Sequence, residues 1–237
     1  MAGEILEAEA RGLEFLLGQG VINAPKPTHV RRIEKFAYLS LPWINAQPKT
    51  ALGNTHLAEQ LAKLHQCQAD QFGWDEDNFI GFLTQSNNPH KNWAEFFILE
   101  RLEPQIKLAC NQGYFLQESL TKWDKLWQII ENLFPQEPPT LLHGDLWSGN
   151  WIEDEDGKAW FIDPSVYYGH REMDLAMTRL FGGFSKEFYH VYGTHHPLAP
   201  GWEKRLPIAQ LYYILVHVNL FGGHYVQQAL TIRNKLV

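Results

Sequence analysis

The sequence predicts an α+β fold in which a small strand-bearing N-terminal part precedes a large, mainly helical C-terminal one. Three observations predict it. A short apolar strand, Ala37 to Leu41, is closed by Pro42; helical apolar spacing dominates after Thr55; and short apolar strands cluster between Thr140 and Ile162. Glu4 to Leu17 places Ile5, Leu6, Leu13, Leu16 and Leu17 at roughly helical spacing, and Gly18 and Gly20 stop that helix. Pro25-Lys26-Pro27 is a rigid turn. Pro42 ends the first strand because it cannot donate to a sheet ladder. Asn45 to Asn54 is polar and turn-rich. It reads as a connection between lobes, which divides the chain into 1–44, a small N-lobe, and 45–237, a helical C-lobe.

Leu57, Leu61 and Leu64 form an apolar stripe ended by His65. A second helix spans Trp93 to Leu108. A third, Leu116 to Leu133, is ended by Pro135 and the Pro138-Pro139 pair. Strands are expected at Thr140 to Leu142, Asn150 to Ile152 and Ala159 to Ile162, with an acidic turn from Glu153 to Gly157. After Gly169 the pattern is helical to the end, broken at Gly182-Gly183, Pro197 to Gly201 and Gly222-Gly223.

Composition excludes several classes. The chain has 237 residues, 45% hydrophobic and 20% charged, with a formal charge of −7. Basic residues do not cluster, which argues against a nucleic-acid partner. No apolar run approaches the roughly eighteen residues needed to span a bilayer, which argues against a membrane partner. Two cysteines without a C-x-x-C spacing suit a reduced, cytoplasmic setting. Oligomeric state is not legible.

The stretch that carries chemistry runs from His143 to Asp163: H-G-D-L-W-S-G-N-W-I, then F-I-D-P. Phosphoryl transfer asks for a base that orients and deprotonates a hydroxyl, and for oxygen ligands that hold Mg²⁺ against the phosphates. Asp145 and Asn150 have the spacing of a kinase catalytic loop, H-x-D-x-x-x-x-N. Asp163 follows at the end of an apolar strand. The roles expected are Asp145 as base, Asn150 and Asp163 as metal ligands, and His143 as a brace for the loop. Any one of these motifs alone also fits a turn with a capping Asp; the three together point to the site.

With these residues stand Tyr168-Gly169-His170-Arg171-Glu172-Met173-Asp174-Leu175-Ala176-Met177, Leu180-Phe181-Gly182-Gly183-Phe184 and Asn219-Leu220-Phe221-Gly222-Gly223-His224-Tyr225. The set resembles the fructosamine kinase/ketosamine 3-kinase family, within the wider aminoglycoside-phosphotransferase group. The resemblance implies a protein-kinase-like fold, ATP and Mg²⁺, and phosphorylation of the 3-hydroxyl of a small-molecule or protein-bound ketosamine, which then breaks down and frees its amine. It also implies finer roles. Trp147 stacks on a sugar-like substrate or packs in the core. Asp174 hydrogen-bonds the catalytic-loop backbone, or is a carboxylate at a helix start. Arg171 and Glu172 form an ion pair or reach substrate, the ion pair ranking higher. Leu39 to Ile44 resembles the hinge strand, pairing with adenine around Pro42, Trp43 and Ile44. Glu9 matches the glutamate that pairs with a strand lysine.

Gly144 stands where protein kinases carry the Arg of H-R-D, and Pro164-Ser165 where they carry Phe-Gly. Both departures point to a small-molecule kinase without activation-loop control. No Gly-rich loop or strand lysine precedes Glu9 in the sequence, and Gly18-Gln19-Gly20 reads as a helix end. The polypeptide is then expected to be either an N-terminally shortened form or one that has lost that sheet, with weak ATP affinity and an exposed apolar surface around Phe36 to Leu41. The competing readings are a kinase of another small alcohol, such as an aminoglycoside or choline, and an inactive binding module of the same fold.

Overall fold

A computed structural model describes residues 2–116 and 120–236. Helix α1 (Ala2–Gly18) buries Leu13 and Leu16 completely and stops where Gly20 takes a φ of 69°. Strands β1 (His29–Ile33) and β2 (Phe36–Ser40) follow as an antiparallel hairpin, with His29 opposite Ser40 and Ile33 opposite Phe36. Only β2 is legible in the sequence. The turn is built on Glu34, which adopts a positive φ of 56° without the Asn-Gly or Asp-Gly pair that usually marks such a turn. Phe36 and Tyr38 are about half exposed, at 54% and 50%, so the expected apolar surface exists there, whereas Leu39 is half-buried.

Extended chain then leads to α2 (Ala51–Leu64), which begins at Ala51 rather than Thr55 because Thr50 caps it. The Thr50 hydroxyl oxygen accepts from the Gly53 N–H at 3.2 Å. The Thr50 N–H and hydroxyl both donate to buried Glu153, at 2.6 and 2.5 Å. A second hairpin, β3 (Asn78–Ile80) and β4 (Leu83–Gln85), was not evident in the sequence.

The single helix expected at Trp93 to Leu108 is divided. Helix α3 (Trp93–Phe96) passes into a π-helical turn, Phe97–Leu102, and then into α4 (Glu103–Asn111). Pro104 explains the change. It lacks the N–H that would bond the Glu100 carbonyl, and its ring needs room in the preceding turn. Arg101 Nη1 donates to that carbonyl instead, at 3.1 Å. Helix α5 (Leu120–Ile130) follows; the start expected at Leu116 runs into residues 117–119, outside the described residues.

Strand β5 (Thr140–Leu142) pairs antiparallel with β8 (Tyr167–Gly169), and β6 (Trp151–Glu153) with β7 (Ala159–Phe161). Helices α6 (Glu172–Leu180), α7 (Lys186–His195), α8 (Trp202–Phe221) and α9 (His224–Leu236) complete the chain. Helix α8 is buried on nearly every side, as a central helix should be.

Two apolar cores result. One gathers α8 with Phe96, Phe97, Trp123 and Met173. The other joins α1, α2 and α7 through Leu13, Leu61, Leu141, Phe161 and Phe188. The loops 143–150 and 162–166 lie where these cores meet.

Candidate active site

The two loops hang from the two ladders. Strand β5 enters the first loop and β6 leaves it; β7 enters the second and β8 leaves it. Cross-links hold them together. The Ser165 N–H donates to the His143 carbonyl at 2.8 Å, and the Ile162 N–H to the Asn150 carbonyl at 3.1 Å. His143 Nε2 lies 3.0 Å from the Ile162 carbonyl, and its Nδ1 faces the Asp145 N–H at 3.3 Å. That pattern suits a neutral ring protonated on Nε2, and burial holds the His143 pKa below its ordinary value. The polar contacts of the His143 ring are thus with loop backbone, and the ring packs on Phe161 with centroids 5.8 Å apart.

Asp145, Asn150 and Asp163 meet in one place. Asn150 Nδ2 donates to the Asp145 carbonyl at 2.9 Å, to Asp145 Oδ2 at 3.2 Å and to the Asp163 carbonyl at 3.3 Å. This leaves Asn150 Oδ1 for another partner. Burial, with the negative charges of Asp163 and Asp174, pushes the Asp145 pKa up to about 8. Asp163 opens to solvent on one side and is crowded by protein on the others. The crowding raises its carboxyl above the usual range. Its φ of 52° is left-handed, a conformation that a non-glycine residue keeps only where its surroundings enforce it.

Among the described residues no group of three His, Cys, Asp or Glu side chains forms a closed metal cage. An amide oxygen and a carboxylate are instead an open, all-oxygen donor set. That set suits a hard cation such as Mg²⁺, which completes its shell with water and phosphate.

Below the first loop sits Asp174, in the first turn of α6 and fully buried. Its Oδ2 accepts the His143 N–H at 2.8 Å and its Oδ1 the Gly144 N–H at 2.9 Å. His65 Nε2 adds a third contact at 3.1 Å, while His65 Nδ1 meets the Tyr192 hydroxyl at 2.9 Å. Burial outweighs the neighbouring carboxylate and lowers the His65 pKa, so the pair is a hydrogen bond from a neutral imidazole. The two readings of Asp174 coexist: it stands at a helix start and it binds the loop backbone.

Gly144 has no room for a side chain. Its φ is 86°, and a Cβ there would lie 1.9 Å from the Ser165 carbonyl oxygen. Gly144→Ala is therefore expected to destabilise the protein by about 2–4 kcal/mol, the sum of left-handed strain and overpacking. A urea midpoint unchanged in this variant would contradict the close approach of the loops.

Leu146 is fully buried and anchors the loop, whereas Trp147, at 40% exposure, projects outward. Trp147 lines a cleft of about 430 Å³ together with Asp145, Phe181, Tyr213, His217 and Phe221. Gly149 makes space for the indole, since a Cβ there would lie 2.2 Å from the Trp147 ring. The core-packing alternative for Trp147 does not describe this side chain.

Helix α1 reaches the second loop. A Cβ on Gly12 would touch Pro164 and Val166, and Glu9 lies within electrostatic reach of Asp163. Burial and that charge push the Glu9 pKa up to about 7. No cation pairs with Glu9 among the described residues. Pro42, Trp43 and Ile44 line a different cleft with Lys26, Asp154 and Trp160, and Trp43 is 91% exposed. That cleft shares no residue with the one beside Asp145. Arg171 and Glu172 do not pair with each other: Arg171 binds Glu137 at 2.7 Å and Glu172 binds Arg205 at 2.8 Å. Both are spent on structure away from the cleft.

Residues 66 to 92 show no motif in the sequence, yet they brace the second loop. Gln85 Nε2 donates to the Ser165 carbonyl at 3.3 Å and to Asn78 Oδ1 at 2.8 Å. Asn78 Nδ2 donates to the Val166 carbonyl at 2.7 Å. The network extends through Asn87 to the buried guanidinium of Arg101, which packs over the Tyr167 ring at 4.0 Å. The only sequence signal was a polar run, Gln85 to Asn88, next to apolar helix.

The family model for fructosamine kinase matches residues 2–237. An Enterococcus faecium protein named "Probable ketoamine kinase" is 42% identical over 224 residues, which are 94% of this chain and 79% of the relative. The ketosamine-3-kinase of Mus musculus is 35% identical over 263 aligned positions, covering 99% of this chain and 84% of the relative. A Haemophilus somnus crystal structure named "Putative fructosamine-3-kinase" superposes with a TM-score of 0.88 at 30% identity, over 98% of this chain and 79% of that one. The aminoglycoside phosphotransferase APH(4)-Ia superposes at 0.63 with 15% identity, over 97% of this chain and 83% of that one, a likeness of fold.

Proposed function

Since the chain belongs to the fructosamine kinase family, we propose that it phosphorylates the 3-hydroxyl of small-molecule or protein-bound ketosamines, with ATP as phosphoryl donor. The observation that carries this reading is the convergence of Asp145, Asn150 and Asp163 through the Asn150 amide, next to a cleft that Asp145 itself lines. Ionised Asp145 accepts the proton of the acceptor hydroxyl, whose oxygen then bonds to the γ-phosphorus as ADP departs. Asn150 Oδ1 and the Asp163 carboxylate would hold Mg²⁺, which neutralises phosphate charge when bound. Glu9, Pro42, Trp43 and Ile44 are assigned to the nucleotide side, and Trp147 to the sugar. Among the described residues no helix is long and apolar enough to cross a membrane. Two free thiols, Cys67 and Cys110, fit a reduced cytoplasmic setting.

The test is transfer of labelled γ-phosphate from ATP to fructosyl-lysine, with an aminoglycoside and choline as competing acceptors. Labelling of either competitor alone would refute the acceptor assignment. Asp163→Asn should raise the Mg²⁺ concentration needed for half-maximal rate by at least the roughly 10–100-fold typical of losing even an outer-sphere partner. An unchanged Mg²⁺ titration would remove Asp163 from the metal site.

A further inference from the structure

The cleft beside Asp145 is far more aromatic than a sugar requires. A ketosugar presents hydroxyls, and near it stand the Asp145 carboxylate, the Ser148 hydroxyl and the Trp147 ring. Beyond Trp147 the lining changes character. Phe181 and Phe221 flank His217, with ring centroids 5.0 and 5.5 Å from it, and Tyr225 packs on the same imidazole at 4.9 Å. This wall is continuous, and its outer members face solvent: Phe181 is 42% exposed and Phe221 67%. Gly81 lines the cleft beside Leu220, and its neighbour Phe82 is 73% exposed. Exposed rings gathered at the mouth of one cleft are unusual on a protein surface and mark a binding face.

Charge narrows the occupant. No Lys or Arg lines this cleft, and its acidic member is Asp145, at the inner end. His217 Nδ1 is engaged by the Tyr213 carbonyl at 2.8 Å, and partial burial keeps the ring below its ordinary pKa. The wall therefore offers nothing to balance a carboxylate, and desolvating one there would be costly. It does offer ring faces to an apolar group.

We propose that the wall formed by Phe181, His217 and Phe221 binds the amine-derived half of the ketosamine and selects acceptors whose amine carries an uncharged apolar or aromatic group. The inference rests on the ketosamine reading and deepens it. The sugar sits at Asp145 and Trp147, and the substituent on its nitrogen extends outward along the wall. Burial of one aromatic substituent is worth about 10–100-fold in affinity.

The test compares two N-substituted 1-amino-1-deoxyfructoses, one from phenethylamine and one from glycine, in binding by calorimetry and in ATP-dependent turnover. The phenethyl compound is expected to bind about 10–100-fold more tightly, and kcat/KM to follow the same order. Phe181→Ala with Phe221→Ala should erase most of that preference, while Phe181→Leu with Phe221→Leu retains part of it. Equal affinities, or a preference that survives the double alanine variant, would overturn the proposal. Calorimetry needs no turnover, so the two readings fail separately. A preserved ranking without phosphorylation sinks the kinase assignment alone, and phosphorylation without ranking sinks the wall alone.

Discussion

Asp145→Asn is expected to lower turnover by at least about 10²–10⁴, the range for a positioned base, and yet to make the folded protein more stable above neutral pH. The second half follows from the electrostatics. The Asp145 pKa stands at about 8 in the fold, against about 3.9 in an unfolded chain. Between those values the folded protein holds a proton that the unfolded chain has released. The stability from this group is therefore complete below pH ~4 and is lost as pH rises towards 8. Asparagine carries no such penalty. Solvent entering through the cleft reduces the full effect, so the gain is on the order of 1–3 kcal/mol at pH 8, shrinking to nothing near pH 4. Thermal melts of both proteins across pH 4–8 read it directly. A variant less stable than its parent at pH 8 would contradict the buried, charge-crowded setting. The same reasoning bears on rate. As the proposed base, Asp145 must be ionised to work, so kcat/KM should rise with pH along a limb displaced above the usual carboxylate range. Because Asp163 contributes to the displacement, raising Mg²⁺ should move that limb to lower pH.

Asp174→Ala is expected to be the most destabilising single change in the molecule, costing about 3–6 kcal/mol. The carboxylate is fully buried and satisfies three donors: the N–H groups of His143 and Gly144, and His65 Nε2. Each donor left unpaired in the interior costs roughly 1–3 kcal/mol. Against a typical total of about 5–15 kcal/mol, that threatens folding at 37 °C. His65→Ala should cost less, because both backbone donors keep their acceptor. Combined with Asp174→Ala it should cost less than the sum, since the imidazole would no longer be an orphan. Strict additivity in urea unfolding would mean that the contacts are independent and the clamp is not a unit.

The legibility of this protein in its sequence was uneven, for identifiable reasons. Helices with one apolar stripe were legible: α1 through Leu13 and Leu16, α2 through Leu57, Leu61 and Leu64. The convergence of Asp145, Asn150 and Asp163 was legible because Asp145 and Asn150 are local to one loop, and Asp163 closely follows a strand that pairs with the strand leaving that loop. The β3–β4 hairpin was not, because its strands are short and its value lies in side-chain bonds from Asn78 and Gln85 to residues some eighty positions later. The partners of Arg171 and Glu172 were hidden likewise. Adjacent opposite charges suggest a local pair, but consecutive residues at a helix start point in different directions, towards Glu137 and Arg205. The division of the helix after Trp93 was readable in hindsight from Pro104 alone.

The meeting of the two apolar cores beneath the loops makes the site a seam. Ser165 and His143 are stitched together by one amide–carbonyl bond, and both of their segments cross from one core to the other: Leu142 and Tyr167 pack in the first, Leu146 and Val166 in the second. A small rotation of one core against the other would shear both loops where they cross the seam without melting either half. Such breathing costs less than global unfolding. On warming, the rate should therefore collapse several degrees before the protein denatures, and the amide of Ser165 should exchange its hydrogen for deuterium sooner than amides in the middle of α8.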